Sequence, residues 1–92
     1  MADIPSGGSL AHPFAAQTAE QLGVILEGFR RQRGLSQRTL AERIGVAQKV
    51  ISAAERHPDR LTVRRLYQIL GALDVELALG DRRSTAAAGA EW

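Results

Sequence analysis

The chain has 92 residues, a formal net charge of +2 and no cysteine. This length supports one small domain with tails, and the missing cysteines exclude disulfides and thiolate metal sites. There is no apolar run long enough to span a bilayer and no signal-peptide pattern, so we expect a cytoplasmic protein without a membrane partner.

The basic residues are concentrated in one part of the chain. Ten of the twelve Lys and Arg residues lie between positions 30 and 65, and all but Lys49 are arginine. Arginine suits two-pronged contacts to phosphate and to guanine. Acidic residues are interspersed among them, so a basic patch has to arise from folding. This distribution indicates an anionic partner.

The first predicted helix follows a short N-terminal arm. Residues 1–17 contain two prolines and a Ser-Gly-Gly stretch, which is typical of a flexible arm. Thr18, with Gln21 three residues later, has the capping-box spacing and predicts a helix that runs to about Arg33 and ends at Gly34. The inner side of this helix is predicted to consist of Leu22, Ile25, Leu26 and Phe29.

Residues 37–54 have the spacing of two short helices joined by a tight turn. Ser36 is the predicted cap of the first helix, and Gly45 ends it because the residue after a helix often takes a positive φ. The inward positions are apolar: Leu40, Ala41, Ile44, Val46, Val50, Ile51 and Ala54. The second helix, residues 47–56, keeps a short, polar and basic outer face, which suits a helix that reads DNA bases. The alternative is an ordinary helical hairpin within a helical domain.

A fourth helix is predicted after a turn. Pro58, between His57 and Asp59, cannot continue the preceding helix, and Thr62 begins the next one. The inner stripe of this helix is predicted to be Val63, Leu66, Tyr67, Leu70 and Leu73. Gly71 lowers the helix propensity, so we expect a close packing contact at that position.

The periodicity then changes to that of a strand. Val75, Leu77 and Leu79 alternate with small or polar residues, a two-residue period. The chain has no second predicted strand, so we expect antiparallel pairing with the same strand of a second copy, which makes a homodimer. The alternative is an extended segment lying on its own core. The predicted organisation is an arm (1–17), a domain (18–80) and a flexible tail (81–92).

The chain resembles the Xre-type, or lambda-repressor-like, helix-turn-helix regulators over residues 19–73. The residues that carry this resemblance are Ser36-Gln37, Leu40-Ala41, Ile44-Gly45-Val46, Gln48 and Ile51-Ser52. Within this group the chain is similar to the HipB-type antitoxins. That closer similarity rests on His57-Pro58-Asp59, on Leu70-Gly71-Ala72-Leu73, on the single strand followed by Asp81, and on the final Glu91-Trp92.

The resemblance implies an all-α, lambda-repressor-like DNA-binding domain of four to five helices, with one short C-terminal strand that pairs across a homodimer. It implies binding to palindromic operator DNA upstream of the protein's own operon. It also implies a second partner, a HipA-like serine/threonine kinase toxin, which the antitoxin holds inactive. The final tryptophan of the mobile tail is then expected to occupy a pocket on the toxin.

The predicted base-reading residues lie at the start of the second helix of the motif. Gln48 can pair with both N6 and N7 of an adenine. Lys49 and Ser52 follow on the same face, and Ala47 is a candidate for contact with a thymine methyl group. Gln37, in the first turn of the preceding helix, can hold a phosphate, or it can be an ordinary solvated side chain.

The predicted phosphate contacts are arginines beside the motif. Arg38 and Arg43 flank it, although Arg43 has the alternative of an ion pair with Glu42 or Glu55. The arginines at the start of the fourth helix, Arg64 and Arg65, can contact the DNA backbone or remain solvated.

Trp92 is the only tryptophan and follows a run of alanines. Tryptophan is prominent among binding hot spots, so Trp92 is a predicted docking anchor, with an incidental terminal residue as the alternative. His12 and His57 have no cluster of acidic residues around them, and there is no Gly-rich phosphate loop. The sequence therefore predicts no enzyme, no metal and no cofactor.

The leading interpretation is a repressor that doubles as the antitoxin of a kinase. Two alternatives remain: a stand-alone regulator without a toxin, and a protein-binding adaptor whose helix-turn-helix has lost its DNA role. The polar outer face formed by Gln48, Lys49 and Ser52 argues against the adaptor.

Overall fold

The computed structural model describes residues 14–82, which fold into four α-helices and one 3-10 turn. The elements are α1 (Ala19–Gln32), α2 (Gln37–Ile44), α3 (Gln48–Arg56), the 3-10 turn (Pro58–Arg60) and α4 (Val63–Leu73). The predicted helical fold is confirmed for this part of the chain. The predictions made for residues 1–13 and 83–92, including the role of Trp92, lie outside the described residues.

The helix ends follow the local signals in the sequence. The hydroxyl of Thr18 accepts a hydrogen bond from the N–H of Gln21 (3.1 Å), and the hydroxyl of Ser36 accepts one from the N–H of Thr39 (3.0 Å). Gly34 and Gly45 both have φ of +73°, the left-handed conformation that ends a helix at little cost only for glycine. The four predicted helix boundaries of α1 and α2 that depend on these caps and turns are confirmed.

The core lies where all four helices meet. Its buried residues are Leu26, Leu40, Ala41, Ile51, Ala54, Ile69, Leu70 and Leu73. Two of them, Ala41 in α2 and Ala54 in α3, are small, which lets the two helices of the motif approach closely. No helix in residues 14–82 is long and apolar enough to cross a membrane.

The predicted inner stripe of α4 is wrong at two positions. Val63 is 69% exposed and Tyr67 is 55% exposed, whereas Ile69 is 2% exposed. Tyr67 lies two residues from Ile69, about 200° around the helix, so it points away from the core when Ile69 faces it. Val63 is in the first turn of α4, and side chains of a helix lean toward its N-terminus. The Val63 side chain therefore extends past the part of α4 that packs against the other helices.

The expectation of a close contact at Gly71 is also wrong within the described chain. A Cβ placed on Gly71 would have no heavy atom within 4 Å outside its own helix and its chain neighbours. Helix α4 continues through Gly71 to Leu73, and Asp74 is its C-terminal cap. Asp74 is the only non-glycine residue of positive φ (58°) among residues 14–82.

Residues 75–80 form neither a helix nor a strand in the described chain. A β-ladder needs a second strand to supply its hydrogen bonds, and residues 14–82 of a single copy contain none. The predicted strand and its pairing across a dimer are therefore not confirmed by the fold of one copy.

Candidate nucleic-acid interface

Helix α3 has one buried face and one exposed polar face. Ile51 and Ala54 are buried against the core. The residues on the other side are exposed, except for Ser52, which is half-buried: Gln48, Lys49, Ser52, Ala53 and Arg56. Ala47 is exposed and lies just before the helix as its N-terminal cap, so α3 begins one residue later than predicted. We call these five residues, together with Ala47, the reading face.

The N-terminal end of the reading face is tied to α2 by a pair of glutamines. The Nε2 group of Gln48 donates to Oε1 of Gln37 at 3.4 Å, and Nε2 of Gln37 donates to Oε1 of Glu55 at 3.0 Å. Gln48 keeps its carbonyl oxygen and its second N–H free of these contacts, and those are the two groups that a bidentate contact to adenine requires. Gln37 thus bridges Glu55 and Gln48, and its side chain is half-buried.

Glu55 is held in turn by a buried arginine. Nε of Arg30 lies 2.7 Å from Oε2 of Glu55, and Nη2 of Arg30 donates to Oε1 at 3.2 Å. The side chains are only 8% and 6% exposed, and Nη1 of Arg30 also donates to the carbonyl of Leu35 at 2.8 Å. The hydrogen bond to Glu55 raises the pKa of Arg30 above its ordinary value, against the lowering effect of burial.

The chain Arg30–Glu55–Gln37–Gln48 was not predicted from the sequence. A signal for its first link was present, because Arg30 follows Leu26 by four residues and Glu55 follows Ile51 by four residues. Each charge therefore lies on the inward side of its helix. Opposite charges on the facing sides of two packed helices are expected to pair, since an unpaired buried charge is costly.

Helix α1 approaches α3 closely at Gly23. A Cβ at this position would lie 2.5 Å from the carbonyl oxygen of Glu55 and 3.0 Å from Cγ of Pro58. Only glycine lets the two helices meet here, and this contact fixes the last turn of α3. Gly23 was not predicted from its sequence neighbours, although it lies beside Leu22 on the inner side of α1.

The predicted phosphate-binding arginines lie at the surface. Arg38 is 79% exposed, and its Nε is 3.7 Å from a Glu42 carboxylate that is itself 68% exposed. Such an exposed pair is weak and leaves the guanidinium available to another anion. Arg43 is exposed in the last turn of α2, and its suggested partner Glu55 is instead bonded to Arg30 and Gln37.

The residues predicted for the dimer strand belong to a different part of the molecule. Val75 packs against the core, Leu77 is 39% exposed and Leu79 is 93% exposed. They line an apolar groove together with residues of α1 and α4, among them Ile25, Phe29 and Leu70. The reading face and this groove are thus separate surfaces.

No group of three or more His, Asp or Glu side chains in residues 14–82 is placed to hold a metal ion.

Two short helices joined by a glycine turn, the second one exposing a polar face, define the helix-turn-helix class of proteins. The Helix-turn-helix family matches residues 26–79, which include α2, α3 and α4. Antitoxin HipB of Escherichia coli K12 is 34% identical over 77 residues, covering 78% of this chain and 88% of the relative.

Solved structures agree with this relationship. HipB in an O1–O2 complex superposes with a TM-score of 0.70 at 32% identity, covering 75% of this chain and 100% of that one. A chain of the HipA–HipB–O2–O3 complex gives a TM-score of 0.71 at 31% identity, covering 76% and 99%. The chain therefore belongs to the HipB family of helix-turn-helix proteins, as the sequence predicted, and is a DNA-binding protein of the antitoxin or regulator type.

Proposed function

We propose that this protein is a homodimeric, operator-binding repressor that is also the antitoxin of a type II toxin–antitoxin pair. In this role it neutralises a HipA-like serine/threonine kinase and represses its own operon. The observation that carries the proposal is the reading face of α3, which is polar, exposed and held at its N-terminal end by the hydrogen bond between Gln48 and Gln37.

The reading face supports a division of labour toward DNA. Gln48 reads an adenine through its free amide groups, and Lys49 and Ser52 contact bases or phosphates further along the groove. Ala47 packs on a thymine methyl group. The exposed guanidinium groups of Arg38 and Arg43, with the first turn of α2 at Gln37, bind the phosphate backbone, which gives affinity without sequence choice.

The dimer is proposed to form through residues 75–79. Leu79 is 93% exposed in a single copy, and Leu77 is also exposed. Pairing of this segment with its copy across a two-fold axis satisfies its backbone groups and covers these side chains. The two reading faces of such a dimer suit a palindromic operator. We retain residues 18–80 as the DNA-binding and dimerisation domain, with an arm before it and a tail after it.

The antitoxin role is supported by the HipB relatives, one of which is found in a complex with HipA. The proposed contact of the tail is Trp92, a large aromatic side chain at the end of the chain. The proposed place of action is the bacterial cytoplasm, where the operator and the kinase are both accessible.

Two assays on the full-length chain test this proposal. The first selects binding sites from random-sequence duplexes, and the second measures the activity of a HipA-type kinase with increasing amounts of the protein. In the first assay we expect enrichment of a palindromic sequence. In the second we expect kinase activity to be lost when enough dimer is present to bind all of the kinase. Selection of a palindrome without inhibition of the kinase would indicate a stand-alone regulator. Neither a selected sequence nor kinase inhibition would indicate a protein-binding adaptor. Either result overturns the antitoxin proposal.

A further inference from the structure

We propose that Arg33 is a positioning residue that sets the direction in which residues 75–80 leave α4. Through that direction it fixes the separation of the two α3 helices in the dimer. This inference rests on the dimer proposed above. The contacts that support it lie at the C-terminal end of α1.

The backbone of Arg33 is held in place by hydrogen bonds at the end of α1. Its backbone N–H donates to the carbonyl of Phe29 at 3.0 Å, and the turn behind it is closed by a hydrogen bond from the N–H of Leu35 to the carbonyl of Arg30, also at 3.0 Å. The guanidinium lies 5.5 Å from the centre of the Phe29 ring, which packs edge-on against Phe14 with ring centres 5.4 Å apart. A cation over an aromatic face is attracted to it, so these contacts restrict where the guanidinium can go.

From this position Arg33 reaches the end of α4. Its Nε donates to the carbonyl of Leu73 at 2.9 Å, and Nη2 donates to the carbonyl of Asp74 at 3.5 Å. The last carbonyls of a helix have no partner within the helix. The turn at Asp74 satisfies two earlier ones, since the N–H of Val75 donates to Leu70 and the N–H of Asp74 donates to Gly71. Arg33 serves the carbonyls of Leu73 and Asp74, and its positive charge suits a helix C-terminus.

These contacts surround the residue at which the chain changes direction. Asp74 has φ of 58°, a left-handed conformation that is uncommon for residues other than glycine, although aspartate tolerates it better than most. The segment with the dimer residues begins at the next position, Val75. Removing the two hydrogen bonds from Arg33 therefore releases the angle at which this segment leaves the domain.

The same turn of α1 also holds the reading face. Arg30, three residues before Arg33, is bonded to Glu55 in the last turn of α3. The C-terminal turn of α1 thus joins α3 to the exit of residues 75–80. When two copies pair through that segment, any freedom at Asp74 becomes freedom in the distance between the two α3 helices.

A distance measurement between the two protomers tests this inference without DNA or toxin. The chain has no cysteine, so A53C on the exposed side of α3 carries one spin label per protomer. Pulsed dipolar spectroscopy then gives the distribution of distances between the two labels. The test variant is R33L, and the matched control is R31L, on the same helical turn, which removes only an exposed ion pair with Glu27.

We expect one narrow distance distribution for A53C alone and with R31L. With R33L the distribution should broaden, or the dipolar coupling should be lost, because the paired segments no longer leave the domain at a fixed angle. A narrow, unshifted distribution with R33L overturns the inference while leaving the dimer intact. An A53C parent without dipolar coupling at any concentration overturns the dimer, and this inference with it.

Circular dichroism checks that R33L is folded. If it is not, R33K decides, because lysine keeps the charge but carries its three N–H donors on a single nitrogen, so it cannot hold both carbonyls with a planar fork. If R33K is folded and its distance distribution is broader than that of R31L, the inference is supported. If the two distributions are equally narrow, the inference is overturned.

Discussion

At the scale of single residues, Glu55 connects the hydrophobic core to the proposed DNA-reading face of α3. Its carboxylate accepts hydrogen bonds from Arg30 in α1 and from Gln37 in α2, and Gln37 accepts one from Gln48 on the reading face. Arg30 carries a charge at neutral pH like any arginine, and its hydrogen bond to Glu55 raises its pKa further. Stability from that raised pKa is present at all pH values below the ordinary arginine pKa and is lost only in strong alkali.

Replacing Glu55 should therefore be far more damaging than replacing an exposed acid in a similar ion pair. Glu55→Gln leaves the Arg30 charge buried and should lower the free energy of unfolding by about 3 kcal/mol or more. Glu27→Gln is the control: its bond to Arg31 is also 2.7 Å long but is exposed, so the loss should stay within about 1 kcal/mol. Urea unfolding followed by circular dichroism measures both, and similar losses would show that burial of the pair is unimportant.

On the DNA side, we expect Gln48 and Arg38 to act differently. Gln48→Ala should weaken the cognate operator by about 1–3 kcal/mol and relax the preference at one base position. Arg38→Ala should weaken cognate and random DNA alike and reduce the slope of log affinity against log salt by about 1. Fluorescence anisotropy across a salt series measures both, and equal effects of the two variants on both DNAs would contradict this division.

At the scale of elements, glycines on α1 have opposite roles although they lie in one helix. Gly23 faces α3 at a distance that leaves no room for a Cβ, whereas a Cβ on Gly28 would have nothing within 4 Å outside its own helix and its chain neighbours. The first glycine is required by packing between helices, and the second only reduces the helix propensity of α1.

The two alanine variants should thus change stability in opposite directions. Gly23→Ala forces α1 away from Glu55 and Pro58 and should destabilise the fold by about 1–3 kcal/mol. Gly28→Ala should stabilise it by about 0.5–1 kcal/mol, because alanine loses less backbone entropy on forming a helix. Thermal unfolding of both variants gives the signs, and destabilisation by Gly28→Ala would mean that another surface packs on that side of α1.

At the scale of the whole molecule, two surfaces are separated on one small domain. The reading face carries polar and basic side chains, while the groove near residues 75–79 carries apolar ones. In the proposed dimer, this separation lets one copy engage DNA and a second copy at the same time.

Dimerisation should depend on an intact backbone in residues 75–79. Leu77→Pro removes a backbone donor that the proposed ladder needs and should shift the protein toward monomer, whereas Leu77→Val should keep the dimer. Sedimentation equilibrium measures the change. A wild type that remains monomeric at micromolar concentration, or a proline variant that dimerises as well as the valine variant, would refute the shared strand.

The tail should matter for the kinase and not for DNA. Deletion of Trp92 should leave operator affinity and dimerisation unchanged and weaken the kinase complex by about 1 kcal/mol or more. Calorimetric titration of the kinase measures the first effect, and anisotropy with operator DNA is the control. Unchanged kinase affinity and unchanged inhibition would make Trp92 incidental.

The features that the sequence determined by itself are those governed by neighbours along the chain. Thr18 and Ser36 cap the helices that follow them, and Gly34 and Gly45 end helices through their own backbone freedom. The order of the four helices and the polar character of the reading face follow from the same short-range patterns.

Other features were decided only by the tertiary structure, because they depend on residues far apart in sequence. The bond between Arg30 and Glu55 spans 25 positions, and the bond from Arg33 to Leu73 spans 40. The exposure of Tyr67 depended on how far α4 is rotated against the core, and the helical periodicity alone allowed either rotation. Packing selects the rotation that buries Ile69, since the other helices cover only one side of α4.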